Sequence, residues 1–258
     1  MIYFRNGEFI EDAVSLDLAQ PAFRTGYGFF ETICWNGNKL CHLDLHIERA
    51  RKSLAQFGIS EQALDYAAVI KDVLATNGLE NEFARVNIFF PVEENCTVPV
   101  VCAVPFEYIP KRTWTLKPCP DVFLSPLMAH KSTNRMDYLN AWQDALADGF
   151  NDALLQDFDG NVLESSFASL MFRKGNSFYE PLSAYKLPGT ARIVAAQHVE
   201  IIEKKINLAQ IDDFDYVYAL NSLGGMIPVT AVGEMEFEAD FDSVERVSAA
   251  VLELEFIS

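Results

Sequence analysis

The stretch from Lys131 to Glu164 constrains the fold most tightly. It holds a helical run from Met136 to Ala147, a break at Asp148-Gly149, and then Ala153-Leu154-Leu155-Gln156-Asp157, which reads as a strand. Asp159-Gly160 is a hairpin signal, and Val162-Leu163 return the chain to Glu164. An amine therefore opens this helix-then-hairpin unit and a carboxylate closes it. A Schiff-base enzyme needs that pair: the lysine holds a carbonyl cofactor, and the acid keeps a pyridine nitrogen protonated so that the ring withdraws electrons. Lysines before helices and glutamates at strand ends are also common surface residues, so the pair alone leaves both readings open.

The rest of the chain mixes strands and helices. Asn6-Gly7 joins Met1–Phe4 to Glu8–Ile10 as a hairpin, and Asn36-Gly37 turns a strand over 29–35 towards a return strand over 39–43. Ile47, Ala50, Leu54 and Phe57 share one face of a helix from His46 to Phe57, with Asp44 as its N-cap and Gly58 closing it. A second helix is predicted over 61–76, with apolar strands over 84–90 and 98–104. Pro105 to Pro110 carries two prolines and no clear period, which predicts two α/β domains, 1–108 and 109–258, the second carrying Lys131. Beyond it, strand-like runs cover 113–117, 121–124, 170–173, 177–179, 206–208, 214–219 and 227–232. Leu187-Pro188-Gly189-Thr190-Ala191-Arg192 opens a long helix to about Glu203, and 244–254 reads as a final helix. Hairpins in both halves argue α+β rather than a doubly wound parallel sheet.

At 258 residues, 50% hydrophobic, the chain can bury a substantial core. A net charge of −17 argues against nucleic acid or an anionic membrane as partner, while leaving room for a local cationic pocket. No apolar run approaches the ~18 residues of a membrane span. The opening residues lack a basic region followed by an apolar one, so a cytoplasmic protein is expected. Five cysteines without CxxC spacing read as core thiols, and His42 and His46 lack the HExxH pattern, so no metal is expected.

Three features suit an anion. Gly189-Thr190 stands at a helix start, Ser222 lies before a Gly-Gly turn, and Arg49 on the first long helix could clamp a phosphate. Each also has an ordinary reading, as a helix start, a turn residue and a solvated face. Neither GxxxxGK[ST] nor GxSxG occurs.

Six ordered blocks carry a resemblance over nearly the whole length. They are GYGFFET at 26–32, HIER at 46–49, KSTNR at 131–135, DGNVLESSFASLMF at 159–172, LPGTAR at 187–192 and NSLGGMIPV at 221–229. Together they resemble the fold-type IV pyridoxal-phosphate enzymes, the class-IV aminotransferase group, which includes branched-chain and D-amino-acid aminotransferases and 4-amino-4-deoxychorismate lyase. The resemblance implies a D-amino-acid-aminotransferase-like α+β fold, with pyridoxal 5'-phosphate at a domain interface, in a homodimer acting on a small amino substrate. It implies that Lys131 forms the Schiff base and shuttles protons, and that Glu164 pairs with the pyridinium nitrogen. It implies that Arg49, Gly189, the Thr190 backbone and Ser222 hold the phosphate. Asn134-Arg135 after the lysine looks more like the lyase. Branched-chain transaminases often place a tyrosine where Met136 stands, and the family often carries asparagine at Ser169 and threonine near Glu180. Aminodeoxychorismate lyase is thus the expected activity, with amino-acid transamination as the alternative.

Overall fold

The structure is a computed structural model that describes residues 1–15 and 17–254. The chain forms two compact units, Met1–Tyr108 with His130–Asn134, and Ile109–Ala129 with Arg135–Ser258. The expected division after residue 108 placed Lys131 in the second domain; its segment instead packs with the first unit.

The first unit contains strands β1 (Ile2–Arg5), β2 (Glu8–Glu11), β3 (Gly28–Asn36), β4 (Ser60–Glu61), β5 (Phe83–Glu93), β6 (Cys96–Thr97) and β7 (Val100–Pro105). Its helices are α1 (Pro21–Arg24), α2 (Leu43–Gln56) and α3 (Tyr66–Thr76). Among the described residues the strands form one sheet ordered β2-β1-β7-β5-β6-β4, with β3 also paired to β5. Strict alternation makes β5 its spine: Ala84, Val86, Ile88, Phe90 and Val92 all point into the core. Asn6 and Gly7 both have positive φ, 52° and 84°, as a two-residue hairpin turn requires. Helices α2 and α3 end alike. Gly58 and Gly78 take φ of 67° and 70°, and the N–H groups of Ile59 and Leu79 reach back to Leu54 and Leu74 at 2.9 Å.

Three expectations change here. Helix α2 starts at Leu43, so Asp44 lies inside its first turn, and left-handed His42 precedes it with no side-chain cap hydrogen bond. That start leaves no room for a return strand over 39–43, and only a Trp35–Leu40 bridge remains. Helix α3 begins at Tyr66 rather than Glu61, because Asp65 accepts from the Ala68 N–H at 3.1 Å while residues 60–61 join the sheet.

The second unit contains β8 (Trp114–Pro118), β9 (Asp152–Gln156), β10 (Val162–Ser165), β11 (Ser169–Lys174), β12 (Ser177–Pro181), β13 (Ile201–Lys204), β14 (Tyr216–Asn221), β15 (Gly225–Val232) and β16 (Met235–Glu236). Its helices are α4 (Met136–Ala147), α5 (Thr190–Ala195) and α6 (Phe241–Val251). The sheet runs β10-β9-β8-β15-β14-β11-β12-β13, with β16 on β15. It is mixed: β8 runs parallel to both β9 and β15, and β12 parallel to β13. Helix α4 has the bounds read from sequence, and it packs Tyr138, Ala141 and Ala145 with Ala153, Leu155 and Leu163.

The long helix after Gly189 is not formed. Helix α5 stops at Ala195, and Ile201–Lys204, opening on two β-branched residues, adds a parallel strand to β12. Residues 121–124 are not strand, and Leu208–Asp213 is a 3-10 turn capped by Asn207 in place of a strand over 206–208. Of the five cysteines, Cys96 is exposed rather than in the core. No helix among the described residues is long and apolar enough to cross a membrane, and no His/Cys/Asp/Glu group there suits a metal. The two mixed sheets with their helices agree with the expected α+β class.

The segment that carries Lys131 is tied to β3 through backbone. Phe30 N–H donates to the Lys131 carbonyl and Thr133 N–H to the Gly28 carbonyl, both at 2.9 Å, around a Phe29–Ser132 bridge. The Thr133 hydroxyl adds a bond to the Gly26 carbonyl at 2.5 Å. His130 anchors the segment from the other side: its ring packs edge-on against Phe29 and Phe57, and Nδ1 lies 2.9 Å from Ser53 Oγ. This close approach requires Gly28, since a Cβ there would lie 2.8 Å from the Phe90 carbonyl oxygen and 3.3 Å from Thr133 Oγ1. Gly28→Ala should therefore cost about 1–3 kcal/mol, the range for overpacking. Urea unfolding measures it, and an unchanged midpoint would contradict the packing described.

Candidate active site

In the first unit, the charged residues converge on Glu31. Strand β3 aims Glu31 into the interior, where it is 1% exposed, and α2 presents His46 and Arg49 to it. Arg49 is bidentate, with Nε 2.9 Å from Oε1 and a terminal nitrogen 2.6 Å from Oε2; His46 Nδ1 lies 2.7 Å from Oε2. Burial alone would push the Glu31 carboxyl up, but Arg49 and His46 outweigh it and hold the group down at about 2. His46 shifts below its usual range: burial lowers it most, Glu31 opposes, and the charges of Arg49 and Lys131 add to the lowering. Lys131 thus shares this electrostatic environment, with Nζ 4.5 Å from the centre of the Phe30 ring.

Arg49 is not on a solvated face. Its side chain is 10% exposed, and two of its donor nitrogens face Glu31. Replacing it would leave a buried carboxylate uncompensated, so an Arg49→Ala change acts on stability as well as on any anion it holds.

In the second unit the focus is Glu164 on β10, 3% exposed. Tyr138 of α4 donates its hydroxyl to Oε1 at 2.8 Å, and the Leu187 N–H donates to Oε2 at 3.0 Å. The second bond connects Glu164 to the loop that runs into Gly189 and Thr190. A Cβ at Gly189 would meet Ser169 Oγ, so that hydroxyl would have to turn away to admit a side chain. Thr190, buried, starts α5 directly after it. The loop is braced by buried Glu180, which accepts from Arg192 Nε at 2.7 Å and lies 3.3 Å from Lys186 Nζ. Burial pushes Glu180 upward, yet Arg192 and Lys186 bring it net below its ordinary value. Ser222 stands in the turn between β14 and β15. Asn221 Oδ1 closes that turn on the N–H groups of Leu223 and Gly224, at 3.1 and 2.7 Å.

A family model described as amino-transferase class IV matches residues 28–232. The chain belongs to the class IV aminotransferase family. An aminodeoxychorismate lyase of Vibrio harveyi is 26% identical over 250 residues, covering 87% of this chain and 90% of its own. A branched-chain aminotransferase of Thermoproteus uzoniensis, solved with norvaline, superposes with a TM-score of 0.87 at 18% identity, covering 99% of this chain and 96% of that one. A putative 4-amino-4-deoxychorismate lyase of Legionella pneumophila gives 0.80 at 24% identity, covering 92% and 94%. The chain is thus a fold-type IV enzyme.

Within this class IV fold, Lys131 and Arg49 belong to one unit and Glu164, Gly189, Thr190 and Ser222 to the other. Glu31 and Tyr138 had no role in the sequence, and His46 and Glu180 entered only as an unmet metal pattern and a departure from the family. Glu31 and His46 lie inside the motifs GYGFFET and HIER, and a charged residue within an apolar strand was the available signal. Tyr138 carried none beyond its place in α4.

The Glu31 cluster makes stability depend on pH with a definite sign. Its carboxyl is depressed in the folded state, so its contribution is present above the ordinary value near 4.5 and is lost as pH falls towards 2. His46, also depressed, acts in the same direction below 6.5. Asp152, which burial raises to about 6, acts in the opposite sense but is common to wild type and variant. Glu31→Gln should destabilise the protein by on the order of 3 kcal/mol at pH 7. The gap from wild type should narrow between pH 4.5 and 3. Urea titrations across that range decide it, and a gap independent of pH would contradict the charge assignment.

Proposed function

We propose that this chain is a pyridoxal 5'-phosphate-dependent aminodeoxychorismate lyase, converting 4-amino-4-deoxychorismate to 4-aminobenzoate and pyruvate. The observation that carries the cofactor reading is Glu164, a buried carboxylate with a hydrogen-bond donor on each oxygen. Hydrogen bonds to both oxygens favour the charged form, which suits a cationic ring N–H. By themselves, a guanidinium such as that of Arg49 and backbone N–H groups at a helix start such as that after Gly189 are each groups that suit a phosphate.

When bound, the cofactor supplies an electron sink for charge developing at the substrate's amine-bearing carbon. Lys131 would hold its aldehyde carbon, then take the proton from the amine-bearing carbon once substrate displaces it. Glu164 would keep the ring nitrogen protonated. Arg49, the Gly189-Thr190 backbone and Ser222 would bind phosphate, and that binding energy would orient the ring. Elimination would then release the pyruvate unit and leave the aromatic amine.

Two features of the family resemblance support the lyase over a transaminase: Asn134-Arg135 after the lysine, and Met136 where branched-chain transaminases carry a tyrosine. Met136 is 70% exposed and offers no hydroxyl. A transaminase moving an amino group to a 2-oxo acid would use the same residues. The family resemblance also carries a homodimer, which light scattering measures.

Purified protein given 4-amino-4-deoxychorismate should release pyruvate and 4-aminobenzoate in equal amounts with no added 2-oxo acid. Turnover that requires a 2-oxo acid acceptor, with its amination, would make the protein a transaminase instead.

A further inference from the structure

Helix α4 delivers one polar group to the second unit's core that no motif had marked. Tyr138 is its third residue, with the ring 5% exposed. Phe123 packs edge-on against that ring at 5.6 Å, and the Arg135 guanidinium lies over it, 3.7 Å from the centre. Ring and helix together fix where the hydroxyl points, which is at Glu164 Oε1, 2.8 Å away. Leu187 N–H covers the other oxygen.

A desolvated carboxylate without donors gives up its charge by taking a proton, and its plane is free to turn. Two donors from different elements fix its plane and favour its charged form. The Leu187 donor is backbone and comes with the loop, whereas the Tyr138 donor is a side-chain choice. Burial, and next the charge of Glu164, hold the Tyr138 phenol well above its ordinary range, so it stays protonated and remains a donor.

We propose that Tyr138 is the positioning residue of Glu164, fixing its carboxylate as an oriented anion towards the ring nitrogen of the cofactor. This rests on the role proposed for Glu164. Tyr138 touches neither substrate nor cofactor in this scheme and acts only through the carboxylate. A residue that merely fills the core would not care whether the ligand has a ring nitrogen.

That difference gives the test. The apoproteins of wild type, Tyr138→Phe and Glu164→Gln are titrated with pyridoxal 5'-phosphate and with its carbocyclic analogue, in which C–H replaces the ring nitrogen. Phenylalanine keeps the packing on Phe123 and Arg135, so the thermal midpoint should move little. Tyr138→Phe should weaken binding of the cofactor about tenfold, the size of one hydrogen bond to a charged group. It should leave affinity for the analogue unchanged and lower kcat with KM nearly constant. Glu164→Gln should discriminate between the two ligands in the same direction. If Glu164→Gln discriminates and Tyr138→Phe does not, Tyr138 is packing only and the proposal falls. If Glu164→Gln itself treats both ligands alike, the role of Glu164 falls first and takes this inference with it.

Discussion

Two backbone hydrogen bonds, Phe30 N–H to the Lys131 carbonyl and Thr133 N–H to the Gly28 carbonyl, carry the arrangement. They return five residues, His130–Asn134, to the first unit from within a stretch otherwise belonging to the second. Backbone pairing sets the position of the Lys131 Cα far more firmly than a loop would, and His130 on Ser53 reinforces it. The tight turn of sequence around Gly26 and Gly28 follows from the same contact: at Gly28 a side chain would strike the Phe90 carbonyl. A reactive amine gains from this, because proton transfer depends on the amine staying within reach of one carbon.

Charge is handled by enclosure. The protein carries −17 overall, yet Lys131 and Arg49 share an environment with a carboxylate buried beside them. Glu31 orients the Arg49 fork and offsets its charge in a setting where an unpaired ion would be costly. In the second unit Glu164 and Glu180 are also buried acids, and they solve the same problem differently. Glu180 is paired with Arg192 and Lys186, which makes it a brace for the loop before α5. Glu164 instead receives Tyr138 and Leu187, groups with no formal charge of their own.

Much of the fold could be read locally. Strict alternation in β5, the Asn6-Gly7 turn and the bounds of α4 each follow from short-range chemistry. Several failures share a cause, which is pairing between residues far apart in sequence. Ile201–Lys204 continues a helical pattern but is captured by β12, and residues 60–61 leave the expected helix for β6. The domain division missed His130–Asn134 because nothing between residues 109 and 130 announces that the chain will pair with β3. At the candidate site, residues that stand out as types in motifs, such as Lys131, Glu164 and Gly189, were visible. Glu31, which holds Arg49, and Tyr138, which donates to Glu164, were not, because a buried polar residue is recognised by what it meets.

In the proposed scheme Lys131 is the amine that holds the cofactor. Borohydride reduction of the yellow holoenzyme, followed by peptide mapping, tests it most directly. The pyridoxyl mass should appear on the peptide containing Lys131 and be absent from a Lys131→Ala protein. A label on Lys117 or Lys186 in its place would contradict the assignment of the site.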